Sequence, residues 1–556
     1  MRTHITRRSV LGASIAAAGT GVLAACSSPG AGDGGRGTGR STGHGGSVAT
    51  PGGGHDTGHG DMSAPDGFVS PDGKEVTAVE AGRGPGTVRE VRVTAVATPL
   101  ELGGGRTVRS WGYEDRLPGR EVRLTAGDTL ALTLTNHLPE DTSLHCHGIS
   151  MRNDMDGVPG VTQPPIRPGA EFTYRFVTPH PGTYWFHPHS GVQLDRGMYA
   201  PLIVEDPKEP LSYDKEWVVL IDDWVDGVDG STPDSVLAEL RKGIHGAGHS
   251  GHGSGSGSGT PSGSATRSPS AESRRSGPSR LLRGNKSNLL GGEAGDVDYP
   301  YYLINGRTPD DPSQFTARPG DRIRLRIINA GGETAFRVAL GGHKLTVTHT
   351  DGFPVRPKET DALLVAMGER YDVLVTAKDG VFPLTALAEG KNASTMAVLR
   401  TGGGAPPPPS ARPAELDREV LKSAAHLLPD ESVALPRHRP DRIIRIKLTG
   451  GMKRYDWAFD DKPYSPDRLY AVKAGERVRL VFINATDMWH PIHLHGHTFA
   501  LAGVNGAGAR KDTAAVLPHR KVTVDFDADN PGLWMLHCHN IYHSESGMMT
   551  TLGYRE

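Results

Sequence analysis

Apolar residues fall at alternate positions in three segments, each opened by a glycine-acid turn. They are Ala126-Gly-Asp-Thr-Leu-Ala-Leu-Thr-Leu-Thr-Asn136, Pro319-Gly-Asp-Arg-Ile-Arg-Leu-Arg-Ile-Ile-Asn329 and Ala474-Gly-Glu-Arg-Val-Arg-Leu-Val-Phe-Ile-Asn484. Side chains alternate between the two faces of a strand, so this period predicts half-buried β-strands. Three copies predict three related β-sandwich domains. Their limits are read as 74–208, 212–403 and 412–556, with the run Pro406–Pro409 at the second boundary. A chain of 556 residues is too long for one core. Gly 74 and Pro 42 favour turn-rich, all-β architecture, although low-complexity segments add to both counts.

The repeats serve as rulers. Nine and eleven residues after the closing Asn stand His145 and His147 in the first copy and His493 and His495 in the third. The middle copy has Val338 and Leu340 there. A later motif repeats too: Pro181-Gly182 leads to His187-Pro-His189, and Pro531-Gly532 to His537-Cys-His539, at one offset. The outer domains therefore each bring two His-x-His pairs from matching places, as two halves of one shared site would.

Near the C-terminus lies Trp534-Met-Leu-His-Cys-His-Asn-Ile-Tyr-His-Ser-Glu-Ser-Gly-Met548. Thiolate, imidazole and thioether in one run suit a soft redox metal, copper above all. Two histidines, a cysteine and a weak axial methionine form a blue-copper electron-transfer site. Cys538, His543 and Met548 are in the run, and His490 is the candidate second histidine. Strand alternation turns Cys538 to one metal while His537 and His539 face another site. Pro188 stands where Cys538 stands and Thr142 where His490 stands, so the blue site belongs to the third domain alone. The plain alternative, a buried thiol among histidines with ordinary partners, loses ground against four His-x-His pairs at matched offsets.

Net charge −2 argues against nucleic acid as a partner. Three cysteines, Cys26, Cys146 and Cys538, give no disulfide framework. Thr6-Arg7-Arg8-Ser9-Val10-Leu11 resembles a twin-arginine export motif, and Leu23-Ala-Ala-Cys26 a bacterial lipobox with Cys26 acylated. Residues 1–25 are accordingly read as a signal peptide, and 26–73 as a flexible Gly/Ser/His tether on the outer face of the membrane. The alternative, an uncleaved anchor, suits the short, small-residue run less well. Residues 243–288, with His245, His249 and His252 and then Gly-Ser repeats, are read as a disordered insertion, a solvated linker enriched in His by drift, with weak copper collection as the lesser alternative.

Eight histidines in four pairs can hold three metal ions with open positions for substrate. This set resembles that of the multicopper oxidases from about residue 74 to the end, and the N-terminus is similar to that of actinobacterial lipoprotein members linked to copper tolerance. The resemblance implies three cupredoxin-like Greek-key β-sandwich domains and four copper ions. Carried over, His490, Cys538, His543 and Met548 bind type 1 copper, and His145 and His493 type 2. His147, His187 and His539 hold one type 3 copper, and His189, His495 and His537 the other. It further implies one-electron oxidation of Cu(I), Fe(II), phenols or aromatic amines, coupled to reduction of O2 to water, in a monomer.

Proton delivery needs an acid near the cluster. Asp156 matches the family's aspartate, nine residues past His147; it also reads as a turn former before Gly157, and both roles can hold. Where relatives commonly carry Glu after the type 1 histidine, Ser544 stands here and Glu545 follows. Cys146 replaces a common Trp and reads as a small buried thiol, with a copper-sensitive thiol as the lesser alternative; His497 reads as packing rather than a ligand. The competing reading is a copper-binding or storage lipoprotein without oxidase activity. A copper nitrite reductase does not need both type 3 triplets.

Overall fold

The computed structural model describes residues 64–84, 86–243, 277–502 and 508–556. The signal peptide, Cys26, the tether up to residue 63 and His245, His249 and His252 lie outside the described residues.

The three repeat strands take equivalent places in three sheets. Thr129–His137 pairs parallel with Val88–Gly103 and antiparallel with Glu171–Val177. Arg322–Asn329 lies likewise between Lys215–Trp224 and Arg370–Thr376, and Arg477–Asn484 between Arg442–Thr449 and Lys521–Asp527. Each sheet faces a second one, giving strand counts of four and four, six and six, and six and five. One continuous apolar cluster contains residues of all three sandwiches.

The closing Asn explains why spacing after the repeat is preserved. Asn136 Nδ2 donates to the carbonyls of Glu140 and Ile166, both at 2.8 Å, while its Oδ1 accepts from Leu138 N. Asn329 does the same with Thr334, Val365 and Gly331, and Asn484 with Met488, Val516 and Thr486. A buried amide that satisfies three backbone groups fixes the turn after the strand, and hence the offset to the next one.

Three expectations are corrected. The middle repeat strand is not half-buried: Arg324 and Arg326 are only 2% and 3% exposed. Both pair with the buried Asp372, which takes the place of water for them. Residues 64–73 of the supposed tether pack on the last strand: Val69 N donates to Tyr554 O at 2.9 Å and the Arg555 guanidinium lies over the Phe68 ring. Phe68 and Val69 supply the apolar burial that a Gly/Ser segment lacks. Residues 277–288 of the insertion are also packed, with Arg280 Nε on Ser231 Oγ at 2.9 Å and Lys286–Ser287 paired to Gly292–Glu293.

Candidate metal centre

In the first sandwich the strand His145–His147 pairs with Gly182–His187, setting His145 opposite His187. In the third, His490–Leu494 pairs with Leu533–Cys538, setting His493 opposite His537 and Ile492 opposite Cys538. Asn153 clasps the two sandwiches, donating to Leu533 O at 2.6 Å and accepting from Leu533 N at 2.8 Å. Across this seam the histidines interleave as stacked rings: His145 on His495 and His147 on His493, each at 3.8 Å.

Backbone and carboxylate acceptors decide which ring nitrogen keeps its lone pair. Nδ1 donates to the Asp156 carbonyl in His145 (2.8 Å), to Pro188 O in His187 (3.0 Å), to Asp512 O in His493 (3.0 Å) and to Cys538 O in His537 (2.9 Å). His495 Nδ1 donates to Asp156 Oδ2 at 2.9 Å. His147 is reversed: its Nε2 donates to Asp512 Oδ1 at 3.1 Å, so its Nδ1 is free. The remaining lone pairs of these imidazoles converge. His145 Nε2, His147 Nδ1, His187 Nε2 and His493 Nε2 are buried without a hydrogen-bond partner, as are both nitrogens of His539. His495 Nε2 faces His537 Nε2 at 3.1 Å, lone pair toward lone pair.

Three groups result in which the candidate ligand atoms lie within 4.8 Å of one another: His145, His147 and His493; His147, His187 and His539; and His189, His495 and His537. Leaving a buried nitrogen unsatisfied costs roughly 1–3 kcal/mol. A cation at each focus removes that cost and the lone-pair repulsion, so the residues fit a metal cluster. Burial holds His147, His187, His189, His495 and His539 well below the ordinary imidazole value, and His537 at about 3. These rings are neutral, as ligands must be.

A separate group forms on the other face of the strand Leu533–Cys538. His490 Nδ1 and His543 Nδ1 are 3.1 Å apart, and Cys538 Sγ lies 3.7 and 3.8 Å from them. Their outer nitrogens are occupied, His490 Nε2 by Thr486 Oγ1 at 2.9 Å and His543 Nε2 by Asp296 Oδ2 at 2.8 Å. Burial pushes the Cys538 thiol up, so the thiolate form needs a cation beside it. Met548 is fully buried, and its backbone accepts from Cys538 N and donates to His543 O, both at 3.0 Å. The chemistry of this set suits copper.

Asp156 is fully buried and holds rings from two sandwiches, His145 through its carbonyl and His495 through its carboxylate. Glu545 lines a small cavity with His187, His189, His537 and His539, and burial raises its carboxyl against the opposing Arg241. Cys146 is buried in the apolar core and unpaired. His497 donates from Nδ1 to His495 O at 3.0 Å, and its Nε2 meets Tyr554 Oη at 2.6 Å, away from the metal groups.

Sequence reasoning missed Asp512, Asp296, Thr486 and Trp457, whose ring lies 4.3 Å from that of His543. Only Thr486 carried a usable signal, two residues after the repeat Asn. Asp296 reaches His543 across 247 residues with no motif of its own.

Three sandwiches with a Cys/His group and a polyhistidine cluster at the seam of the first and third define a copper redox protein. Multicopper oxidase family models match residues 95–209, 285–404 and 437–556. The chain is 46% identical over 482 residues to "Multicopper oxidase MmcO" of Mycobacterium tuberculosis, covering 86% of this chain and 90% of that protein. It is 30% identical to "Copper resistance protein A homolog" of Pseudomonas syringae pv. tomato, covering 78% and 87%. Among solved structures, that of Fet3p, "a Multicopper Oxidase that Functions in Iron Import", superposes with TM-score 0.68 at 21% identity, covering 84% of this chain and 90% of that one. The protein therefore belongs to the multicopper oxidase family, with cupredoxin-like domains, copper cofactors and oxidoreductase activity toward O2 and a reductant.

Proposed function

We propose that His490, Cys538, His543 and Met548 would hold a type 1 copper, which would supply one-electron transfer from the reductant, with Cys538 linking it to a trinuclear cluster. His145 and His493 hold the type 2 ion; His147, His187 and His539 hold one type 3 ion, and His189, His495 and His537 the other. The observation that carries this is the convergence of lone-pair nitrogens from two sandwiches directly behind Cys538. Bound copper supplies one-electron transfer and the four-electron reduction of O2 to water. The chain orients the ligand rings through hydrogen bonds to their outer nitrogens. Asp156, on His495, and Glu545, in the cavity beside the cluster, hold and deliver protons there.

The reductant is a small metal ion, Cu(I) or Fe(II), ahead of phenols and aromatic amines. The lipoprotein motif and the His-bearing stretch 243–288 support metal-ion oxidation over oxidation of an aromatic substrate. The copper-resistance names of relatives support a role in copper tolerance. The N-terminal motifs support twin-arginine export, acylation at Cys26 and anchoring to the outer face of the cell membrane. No described helix is long and apolar enough to cross a membrane. The domain limits 74–208, 212–403 and 412–556 belong to the same reading.

The test is metal content with spectra, followed by oxygen consumption with Cu(I), Fe(II) and a phenol. Four coppers per chain, an intense blue band and a near-ultraviolet shoulder are expected, with turnover fastest on a metal ion. A single blue copper without oxygen uptake would leave only the copper-binding lipoprotein.

A further inference from the structure

The middle sandwich carries none of the candidate ligands, yet its turn Ala366-Met-Gly-Glu-Arg370 closes over the cluster. Gly368, at φ +80°, lies against two rings: a Cβ there would sit 3.0 Å from His147 Cε1 and from His539 Cδ2. The turn is tied to its own repeat, since Gly368 N donates to Asn329 O at 3.0 Å and Asn329 N to Glu369 O at 3.2 Å. It ends in Arg370, whose guanidinium is fully buried.

Arg370 joins all three sandwiches. Its Nε donates to Thr183 O at 3.0 Å, on the strand that leads to His187. Its Nη1 donates to Gly368 O at 2.9 Å within the middle sandwich. Nη1 and Nη2 then grip the Asp512 carboxylate of the third as a fork, at 2.8 and 2.6 Å. Asp512 in turn accepts from His147 Nε2 through Oδ1 and from His493 Nδ1 through its carbonyl. The neighbouring backbone leaves room for the fork. Gly148 follows His147, and a Cβ there would lie 2.4 Å from Arg370 Nη2 and 2.5 Å from Asp512 Oδ2.

We infer that Arg370 is a positioning residue of the copper cluster, fixing Asp512 and through it the His147 and His493 rings that meet from opposite sandwiches. The inference rests on the ligand reading proposed above. A planar fork clamps both oxygens of one carboxylate; an ammonium presents one mobile point charge and leaves the carboxylate free to rotate. Rotation of Asp512 releases His147 Nε2, and the ring then no longer presents Nδ1 to the cluster in a fixed direction. Loss of such an outer partner lowers metal affinity by about 10–100-fold. A role confined to packing predicts lower thermal stability with the cluster unchanged.

The experiment compares copper-loaded wild type with Arg370→Lys, with the double variant Arg370→Gln/Asp512→Asn, which removes both buried charges, and with Arg324→Lys. Arg324 grips Asp372 and Glu209 rather than a candidate ligand or its hydrogen-bond partner, so its variant reports a buried arginine pair lost elsewhere. Copper per chain, the paramagnetic resonance of type 2 copper, loss of cluster copper to a chelator, and thermal unfolding are measured, with the blue band as internal reference. Both Arg370 variants are expected to keep the blue band, lose cluster copper at least tenfold faster than wild type and show altered type 2 resonance, while Arg324→Lys shows only a lower unfolding temperature. Unchanged resonance and chelation in Arg370→Lys overturn the inference, and so does failure of both variants to accumulate, which assigns Arg370 to folding. Wild type lacking cluster copper contradicts the ligand reading instead.

Discussion

Replacing Asp156 with Asn separates holding a histidine from moving a proton. The substitution leaves the backbone bond from His145 Nδ1 at 2.8 Å intact. It changes the acceptor of His495 Nδ1, from a carboxylate oxygen at 2.9 Å to an amide oxygen of the same shape, and sets the amide nitrogen in place of Oδ1, which lies 3.2 Å from His145 Nδ1. A hydrogen bond to a charged group contributes roughly 1.5–3 kcal/mol and a neutral one about 1. The loss is therefore about 1 kcal/mol, or about fivefold in hold on the metal. The amide, however, cannot release a proton, and removing a general acid slows turnover by about 10²–10⁴. The two effects differ by more than an order of magnitude. The assay is copper per chain, then oxygen consumption at saturating reductant expressed per copper-loaded cluster. Full copper with turnover down at least a hundredfold is expected. Turnover within fivefold of wild type at full copper would refute the proton role and leave Asp156 as an anchor for two rings.

Cys538→Ser is expected to abolish the blue band while the cluster keeps its copper, measured by absorption and metal analysis; a surviving blue band removes Cys538 from the site. In Gly368→Ala a Cβ must enter 3.0 Å from two ring atoms at φ +80°, and the left-handed backbone alone costs about 1–2 kcal/mol. A lower unfolding temperature and a weakened near-ultraviolet shoulder are expected, and an unchanged shoulder contradicts the close approach of the turn. His497→Phe loses the bonds to His495 O and Tyr554 Oη, so chemical denaturation should report about 1–3 kcal/mol of destabilisation with copper content intact; a missing copper would make His497 a ligand.

Much of the site was legible because local rules fixed it. Alternation marked the repeat strands, and the closing Asn, satisfied in one pattern in all three copies, kept a constant offset to the His pairs. The strand period also placed Cys538 and its flanking histidines on opposite faces, where the backbone now shows them. What stayed hidden came from partners distant in sequence. Arg324 and Arg326 looked like solvent-facing positions of an alternating strand, and their burial is explained by Asp372 on the neighbouring strand together with Glu209 and Glu216. Asp512, Asp296 and Arg370 are ordinary charged residues until the sandwiches meet. The packed ends of the tether and insertion were misread because Gly/Ser composition outweighed a few apolar or charged residues that find specific partners.

The clasp between Asn153 and Leu533 spans 380 residues of chain. A polypeptide halted anywhere before His490 owns only the first quartet of cluster histidines and no cysteine-bearing partner for it. Closing so long a loop comes late, after both ends have folded locally. On the proposed ligand assignment, reactivity toward dioxygen is therefore expected only once the last sandwich has been made and has closed on the first.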